Sequence, residues 1–169
     1  MNKIKVLKIL KNLFKYDRYH SSEGMDNAIQ YLTEQYKGIV DSYKNNLNTT
    51  WELPFKYKVH NAYILDEDGK LISDYSRSRL FLWSFSESFK GFVTYEELMK
   101  HLIFDKERPN DYLFHFRNQY RLWEKQWGIS LPFNEVLKLK KNKKYFVDIK
   151  TSFAKSNLNQ FILGEIKSK

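Results

Sequence analysis

Three groups of side chains in this sequence could do chemistry: the histidines, a run of lysines, and tryptophans with nearby arginines. The four histidines, His20, His60, His101 and His115, are far apart, and none has a second histidine two to four residues away. A zinc site needs several nitrogen, sulfur or carboxylate ligands held together, and the sequence contains no cysteine. No metal site is therefore encoded locally, although distant parts of the chain could still assemble one.

The lysine run at residues 138–144 is the densest positive segment. Its candidate basic patch consists of Lys140, Lys141, Lys143 and Lys144. Such lysines can contact phosphates, and the two aromatic residues that follow could stack on bases. The more common alternative is a solvated turn between a short helix and a strand.

Tryptophans and arginines form a candidate recognition surface. Its members are Trp83, Trp123, Trp127, Arg117 and Arg121. Exposed indoles could line a groove for a sugar or a peptide, with the arginines at its rim. Tryptophans are more often part of the core, so this surface depends on the exposure of the indoles.

Other motifs of catalysis and ion binding are not found. The acidic segment at residues 66–69 resembles the start of a calcium loop, but Arg77 stands where the twelfth-position glutamate is needed. The sequence has no glycine-rich phosphate loop and no G-x-S-x-G elbow. No catalytic motif is therefore visible.

The composition predicts one domain or two small ones around an aromatic core. The chain has 169 residues, of which 42% are hydrophobic and 17% aromatic, enough to form a core. No stretch of 18 apolar residues occurs, so no membrane span is expected. Lysines interrupt the apolar start every few residues, which is not typical of a secretory signal. We expect a cytoplasmic protein.

The net charge of +9 is concentrated at the two ends of the sequence. Residues 1–16 contain five lysines and no acidic residue, and residues 138–169 contain nine lysines against two acidic residues. The segment between them is slightly acidic. A basic chain suggests nucleic acid or another anionic partner, but this distribution describes basic ends rather than a basic domain.

Helical spacing of apolar residues predicts two helices before residue 45. The first extends from about Lys3 to Phe14, with lysines on its other face. The second follows Ser21 or Ser22, either of which can cap it, and Gly38 is its expected end.

From residue 51 onward the period changes to about two, which is typical of strands. Residues 57–65 and 71–75 predict a hairpin around the acidic turn, and residues 80–85 predict a third strand. Thr94 and Glu97 form a capping box that opens a short helix through Leu102. Residues 145–149 and 161–163 are also strand-like. Residues 113–127 fit either an apolar helix stripe or an aromatic strand.

These patterns predict an α+β fold with two parts. A helical segment at residues 1–45 precedes a compact, mainly antiparallel β domain at residues 46–169, of sandwich or barrel-like form with short helices.

An ordered series of motifs in the β domain resembles a known family. The series contains W-x-x-P from Trp51, N-A-Y-I from Asn61, D-G-K from Asp68 and W-G-x-x-L-P from Trp127. It is similar to the inserted β domain of bacterial aminopeptidase-like proteins, which belong with the zinc-dependent aminopeptidases that use two co-catalytic metals. The first 40 residues are similar to the opening helices of that family.

The resemblance implies a peptidase relationship without the catalytic residues. In the family, the His and Asp motif that binds zinc follows the inserted domain, and this sequence stops at Lys169 before such a motif. No position here matches a metal ligand, so no cofactor is expected in this chain. It could be a fragment, a shortened gene product or one of two chains.

We therefore expect a non-catalytic recognition or assembly module. Its expected partners are another protein or a second copy, with a peptide as a candidate ligand and without nucleic acid or membrane. Two alternatives stay open: part of a metal-dependent aminopeptidase completed by another segment or chain, and a basic nucleic-acid-binding module.

Overall fold

The computed structural model describes residues 3–44, 53–115 and 124–164. The chain forms two compact units: unit 1 comprises Met1–Lys58 and Phe153–Lys169, and unit 2 comprises Val59–Ser152. Helices and antiparallel strands are both present, which confirms the predicted α+β fold. The predicted domain boundary after residue 45 stays a prediction.

The described residues contain helices and strands with the following bounds. The α-helices are α1 (Lys3–Leu13), α2 (Glu23–Gln35), α3 (Tyr95–Lys100) and α4 (Phe133–Val136). The strands are β1 (Ile39–Tyr43), β2 (Lys56–Asp66), β3 (Leu71–Asp74), β4 (Phe89–Thr94), β5 (Leu102–Ile103), β6 (Ile129–Ser130), β7 (Lys144–Ala154) and β8 (Leu158–Ile162). None of these helices is long and apolar enough to cross a bilayer.

Unit 1 contains α1, α2 and a two-stranded ribbon of β1 and β8. Of the two predicted caps, Ser21 and Ser22, it is Ser22 that caps α2, because its Oγ accepts a hydrogen bond from the Met25 amide at 3.0 Å and donates one to the Asp17 carbonyl at 2.6 Å. β1 and β8 are antiparallel, with Ile39 opposite Ile162. β1, a five-residue strand, has no counterpart among the predicted strands, and within the described residues it pairs with β8 alone.

Unit 2 is built on a four-stranded sheet with the order β3-β2-β7-β4. The predicted hairpin of β2 and β3 is present, and the Asp66 carboxylate accepts hydrogen bonds from the amides of Asp68 and Lys70 in its turn. Gly69 has φ +80°, which glycine adopts without steric cost. The core cluster consists of Ala62, Ile64, Tyr75, Phe81, Leu82, Val93, Leu98, Leu102, Trp127, Ile129, Leu131, Val136, Tyr145, Val147 and Ile149.

The capping box of α3 is only half formed. Thr94 Oγ1 accepts a hydrogen bond from the Glu97 amide at 3.2 Å, as predicted. The Glu97 carboxylate contacts Lys100 Nζ at 2.8 Å and His101 Nε2 at 3.3 Å instead of turning back towards Thr94. The helix ends at Lys100, because Leu102 belongs to β5, which pairs in parallel with β6.

The predicted third strand at residues 80–85 is wrong. Arg79–Phe81 forms a 3-10 helix, and Leu82 makes only an isolated bridge to Ile129. Two buried serines then bind the backbone of other segments: Ser84 Oγ donates to the His115 carbonyl at 2.8 Å, and Ser86 Oγ lies 3.3 Å from the Gly128 carbonyl. Such side-chain hydrogen bonds compete with a regular strand ladder, and here they stabilise a turn.

The ambiguous segment is only partly described. Residues 113–115 and 124–127 are neither helical nor in a strand. Residues 116–123 lie outside the described residues, as does Trp51, so the choice between helix and strand stays open there.

Candidate functional site

The two described tryptophans of the candidate recognition surface are core residues. Trp83 and Trp127 are each 8% exposed. The Trp83 indole stacks on the His115 ring at 4.0 Å, and Trp127 stacks on both Phe89, at 4.5 Å, and His101, at 4.0 Å. Neither indole presents a face to solvent, which agrees with the core alternative.

Gly128 is needed for this packing. A Cβ at this position would lie 2.2 Å from an atom of the Trp83 indole, far inside van der Waals contact. The Trp-Gly pair that contributed to the family resemblance therefore has a structural role. Trp123, Arg117 and Arg121 lie outside the described residues, so their part in a recognition surface stays a prediction.

Two of the described histidines, His60 and His101, make hydrogen bonds that fix local structure. His101 Nδ1 lies 2.7 Å from the Trp127 carbonyl oxygen, and His60 Nε2 lies 2.8 Å from Ser152 Oγ. Within residues 3–44, 53–115 and 124–164, no three His, Asp or Glu side chains are grouped to hold a metal ion.

The candidate basic patch is a tight turn held by a buried phenol. The Lys140 amide donates to the Tyr145 hydroxyl at 2.6 Å, and that hydroxyl donates to the Lys140 carbonyl at 3.1 Å. The Lys143 amide also donates to the Lys140 carbonyl. Burial raises the pKa of Tyr145 above its ordinary value. This geometry fits the solvated-turn alternative.

The positive charge of the patch is partly neutralised. Lys143 forms an ion pair with Glu67 of the β2–β3 turn, and the neighbouring Lys138 pairs with Glu135 at 2.8 Å. Lys140, Lys141 and Lys144 are exposed. A phosphate-binding surface would have to compete with these carboxylates.

The structure brings the basic patch and the acidic turn together at one cleft of about 370 Å³. One wall carries Asp66, Glu67 and Asp68, and the other carries Lys138, Lys140 and Lys143. The lining is therefore of mixed charge. A uniformly positive surface, which attracts the phosphates of nucleic acids most strongly, is therefore not present in this cleft.

Unit 1 has a surface that the sequence analysis did not identify. Three apolar residues of α1 and one just beyond its end are exposed, and we call them the α1 stripe: Ile4, Leu7, Leu10 and Phe14. Phe14 is 80% exposed and Ile4 75%. No residue of α1 is fully buried. The pattern of apolar residues was visible in the sequence, but it did not show which of them would be covered.

The β1–β8 ribbon adds further exposed apolar side chains to unit 1. The exposed residues are Ile39, Val40, Tyr43 and Leu163, the last just after β8. A two-stranded ribbon has few neighbours to cover both faces. The exposed residues of β1 lie on both faces of the strand, since Ile39 and Tyr43 alternate with Val40.

Comparison with known protein families identifies the family of this chain. A family model described as Domain of unknown function (DUF2172) matches residues 56–152, a range close to that of unit 2. No curated protein matches the sequence.

One solved structure shares the fold across most of the chain. It is described as a "putative peptidase" from Clostridium acetobutylicum, and it matches with a TM-score of 0.77 at 19% identity over 92% of this chain. The chain spans 36% of the length of that structure. At this identity the likeness concerns the fold alone. Because the family model covers more than half of the sequence, the chain belongs to the family described as Domain of unknown function (DUF2172).

Proposed function

We propose that this chain is a non-catalytic recognition and assembly module of a peptidase-like protein. One observation carries the proposal: unit 1 leaves the α1 stripe and the apolar side chains of the β1–β8 ribbon exposed. Burial of a large apolar side chain stabilises a protein by about 1.5–3 kcal/mol. Covering several of them provides a driving force for association with another protein.

The peptidase relationship gives this association its context. The fold matches about a third of a structure described as a "putative peptidase", and the motifs resemble the insertion domain of zinc aminopeptidases. The resemblance implies that such a domain shapes access to the active site or contributes to an oligomer interface. We extend that role to this chain, with a protein or a second copy as the partner, a peptide as a candidate ligand and the cytoplasm as the compartment.

Zinc, which the aminopeptidase resemblance implies, does not fit the described residues. His60, His101 and His115 are engaged in separate contacts, with Ser152, the Trp127 carbonyl and the Trp83 indole respectively, and the described part of the chain has no cluster of three potential ligands. The proposal therefore assigns no step to zinc.

Peptide hydrolysis by the purified chain tests the proposal against the enzyme alternative. The chain is incubated with unblocked peptides and stoichiometric zinc, and released amino acids are quantified. We expect no release above the buffer control and no zinc retained after gel filtration. Release of amino acids, or retention of one or two zinc ions per chain, would support a metal-dependent aminopeptidase instead.

Nucleic-acid binding is the second alternative, and it rests on the exposed Lys140, Lys141 and Lys144. It predicts binding that weakens steeply with salt and that depends on these lysines. We expect the chain and a variant with Lys140, Lys141, Lys143 and Lys144 changed to Gln to bind a labelled duplex equally weakly at physiological salt. A large loss of affinity in the variant would favour the nucleic-acid alternative.

A further inference from the structure

A row of aromatic side chains crosses the unit 2 sheet on the face that is turned away from the core. Phe146 of β7 lies between the buried Tyr145 and Val147, and successive side chains of a strand point to opposite faces. Phe92 of β4 is opposite Phe146 in the strand register, and Tyr63 of β2 lies on the other side of Phe146. We call Tyr63, Phe146 and Phe92 the aromatic row.

The rings of the aromatic row contact one another at a tilt. The ring centres of Phe92 and Phe146 lie 5.1 Å apart with an interplanar angle of 60°, and those of Tyr63 and Phe146 lie 6.4 Å apart with an angle of 41°. Phe92 is 60% exposed, and the other two rings are half-buried. Tilted rings leave grooves between them, whereas a nucleotide base stacks on an open, flat ring face. The aromatic row therefore fits compact apolar side chains better than bases.

The aromatic row continues into a groove of about 490 Å³. Tyr63 lines this groove together with Val59, Asn61, Leu71 and Asp74, among others. The row and the groove together cross all four strands, which is a width of about 15 Å at the usual spacing of strands. A polyproline II segment covers that distance with about five residues. The dimensions therefore fit an extended peptide.

Two carboxylates flank Tyr63 and offer free acceptor atoms. Asp148 Oδ2 accepts from the Tyr63 hydroxyl at 3.2 Å and contacts Lys90 Nζ at 3.4 Å. Asp74 is opposite Tyr63 in β3, and its Oδ1 accepts three hydrogen bonds from the turn that follows the strand. Among the described residues, no hydrogen bond reaches Asp148 Oδ1 or Asp74 Oδ2. Free carboxylate oxygens beside aromatic rings fit an arginine, which both pairs and stacks, and they repel phosphate.

We infer that the aromatic row and the adjoining groove bind an extended, proline-rich peptide that carries an arginine. This inference rests on the proposed function and specifies its peptide ligand. Proline-rich segments are already ordered as polyproline II helices and dock into grooves lined by aromatic rings. The prolines lie between the tilted rings, and the arginine pairs with Asp148. The ligand comes from outside residues 1–169, because the prolines within them are single ones, Pro54, Pro109 and Pro132.

Selection from a phage library of random peptides on the purified chain tests this inference. We expect the enriched peptides to contain several prolines and an arginine. The most enriched peptide is then synthesised with a fluorescent label, and its affinity for the chain is measured by anisotropy. Phe92→Ala should weaken binding by about tenfold or more. Phe14→Ala, the matched control on the α1 stripe, removes another exposed phenyl ring and should change binding by less than about twofold.

A double-mutant cycle tests the pairing of the arginine with Asp148. Asp148→Asn keeps the shape of the side chain and removes its charge, so it should weaken binding of the arginine peptide by about threefold or more. The same variant should bind a peptide with glutamine in place of the arginine within about twofold of the parent chain. Circular dichroism checks the fold of each variant. Amide chemical-shift changes in the unaltered chain locate the peptide independently, and we expect the largest in β4 and β7.

The other outcomes separate this inference from the proposed function. Enrichment of peptides without proline, no enrichment at all, or binding that Phe92→Ala leaves unchanged would overturn the inference and leave the proposed function intact. A labelled single-stranded oligonucleotide that binds the parent chain and not Phe92→Ala would overturn the peptide as the occupant. Cleavage of the bound peptide, followed by mass spectrometry, would instead overturn the non-catalytic function while the aromatic row remained its binding site.

Discussion

Unit 2 and unit 1 differ in how they bury their apolar side chains. All 15 residues of the core cluster lie in unit 2, where they line the sheet and the short helices. Among the described residues of unit 1, the buried apolar side chains are Ala28, Ile29 and Tyr57. Unit 1 instead exposes apolar residues on α1 and on the β1–β8 ribbon.

The difference indicates two kinds of stability within one chain. Cooperative units with few buried apolar contacts open at low free energy, whereas a dense core opens only with global unfolding. We expect unit 2, which nearly coincides with the family match, to carry the stability of the isolated chain. Unit 1 would gain most from association with a partner.

The largest expected change in stability is that of Ile129→Ala in unit 2, and Ile39→Ala in unit 1 is its comparison. Ile129 is 0% exposed in the unit 2 core, and Ile39 is 65% exposed in β1. Ile129→Ala should lower the free energy of unfolding by about 2–5 kcal/mol through lost burial and a cavity. Ile39→Ala should change it by less than about 0.5 kcal/mol. Urea denaturation followed by tryptophan fluorescence measures both, and equal losses would contradict the comparison.

A glycine pair tests how tightly unit 2 is packed. Gly128→Ala would force the buried Trp83 indole to move, and overpacking of this kind costs about 1–3 kcal/mol. Gly91→Ala on β4 is the control, because its added Cβ would lie 3.6 Å from the nearest Phe89 atom, an ordinary contact. Thermal unfolding should show a lower Tm for the first variant only. A Gly128→Ala variant as stable as the parent would mean that the Trp83 packing is loose.

The cap of α2 tests unit 1 alone. Ser22→Ala removes the hydroxyl that accepts from the Met25 amide and donates to the Asp17 carbonyl. It should cost about 1 kcal/mol of local stability. Hydrogen exchange should quicken in α2 and stay unchanged in β7, whereas Asn27→Ala, an exposed change in the same helix, should leave α2 protected. Faster exchange in both elements would show that the two units unfold together.

The smallest expected effect is the pH dependence of stability that comes from one exposed carboxylate in each unit. A hydrogen bond from Lys58 lowers the pKa of Glu23 below its ordinary 4.5 in unit 1, and a hydrogen bond from Lys100 does the same for Glu97 in unit 2. Because these pKa values are lower in the folded state, the stabilisation is present above pH 4.5 and is lost as pH falls through the folded pKa.

Carbon-detected NMR titration of the two carboxyl groups measures this effect. Lys58→Gln should return the pKa of Glu23 towards 4.5 and leave that of Glu97 unchanged, and added salt should reduce both shifts. A low pKa for Glu23 in the Lys58→Gln variant would show that Lys58 is not its cause.

Local signals in the sequence predicted several elements correctly. Ser22 as the cap of α2, the β2–β3 hairpin around Gly69 and Thr94 as the cap of α3 all depend on residues close together in the chain. Residues 80–85 were wrongly predicted as a strand, because the structure of this segment depends on distant partners. Ser84 and Ser86 hydrogen-bond to the carbonyls of His115 and Gly128, which no local pattern reveals.

Prediction of the candidate sites from the sequence was limited for the same reason, since these sites also depend on contacts between distant residues. Nothing in the sequence shows that Trp127 is enclosed between Phe89 and His101, or that Lys143 meets Glu67 across a cleft. The amphipathic pattern of α1 was visible, but covered and exposed apolar residues follow the same helical spacing. Only the packing of α1 distinguished the α1 stripe from its half-buried neighbours.

The pairing of β1 with β8 has a consequence for the order in which the chain folds during its synthesis. The ribosome releases β1 early, but its partner follows Ser152, the last residue of unit 2. Domains generally fold as they emerge, and pairings between distant segments come late. We therefore expect unit 2 to fold while β1 is still unpaired. During that interval the edge of β1 is unpaired and can pair with strands of other chains.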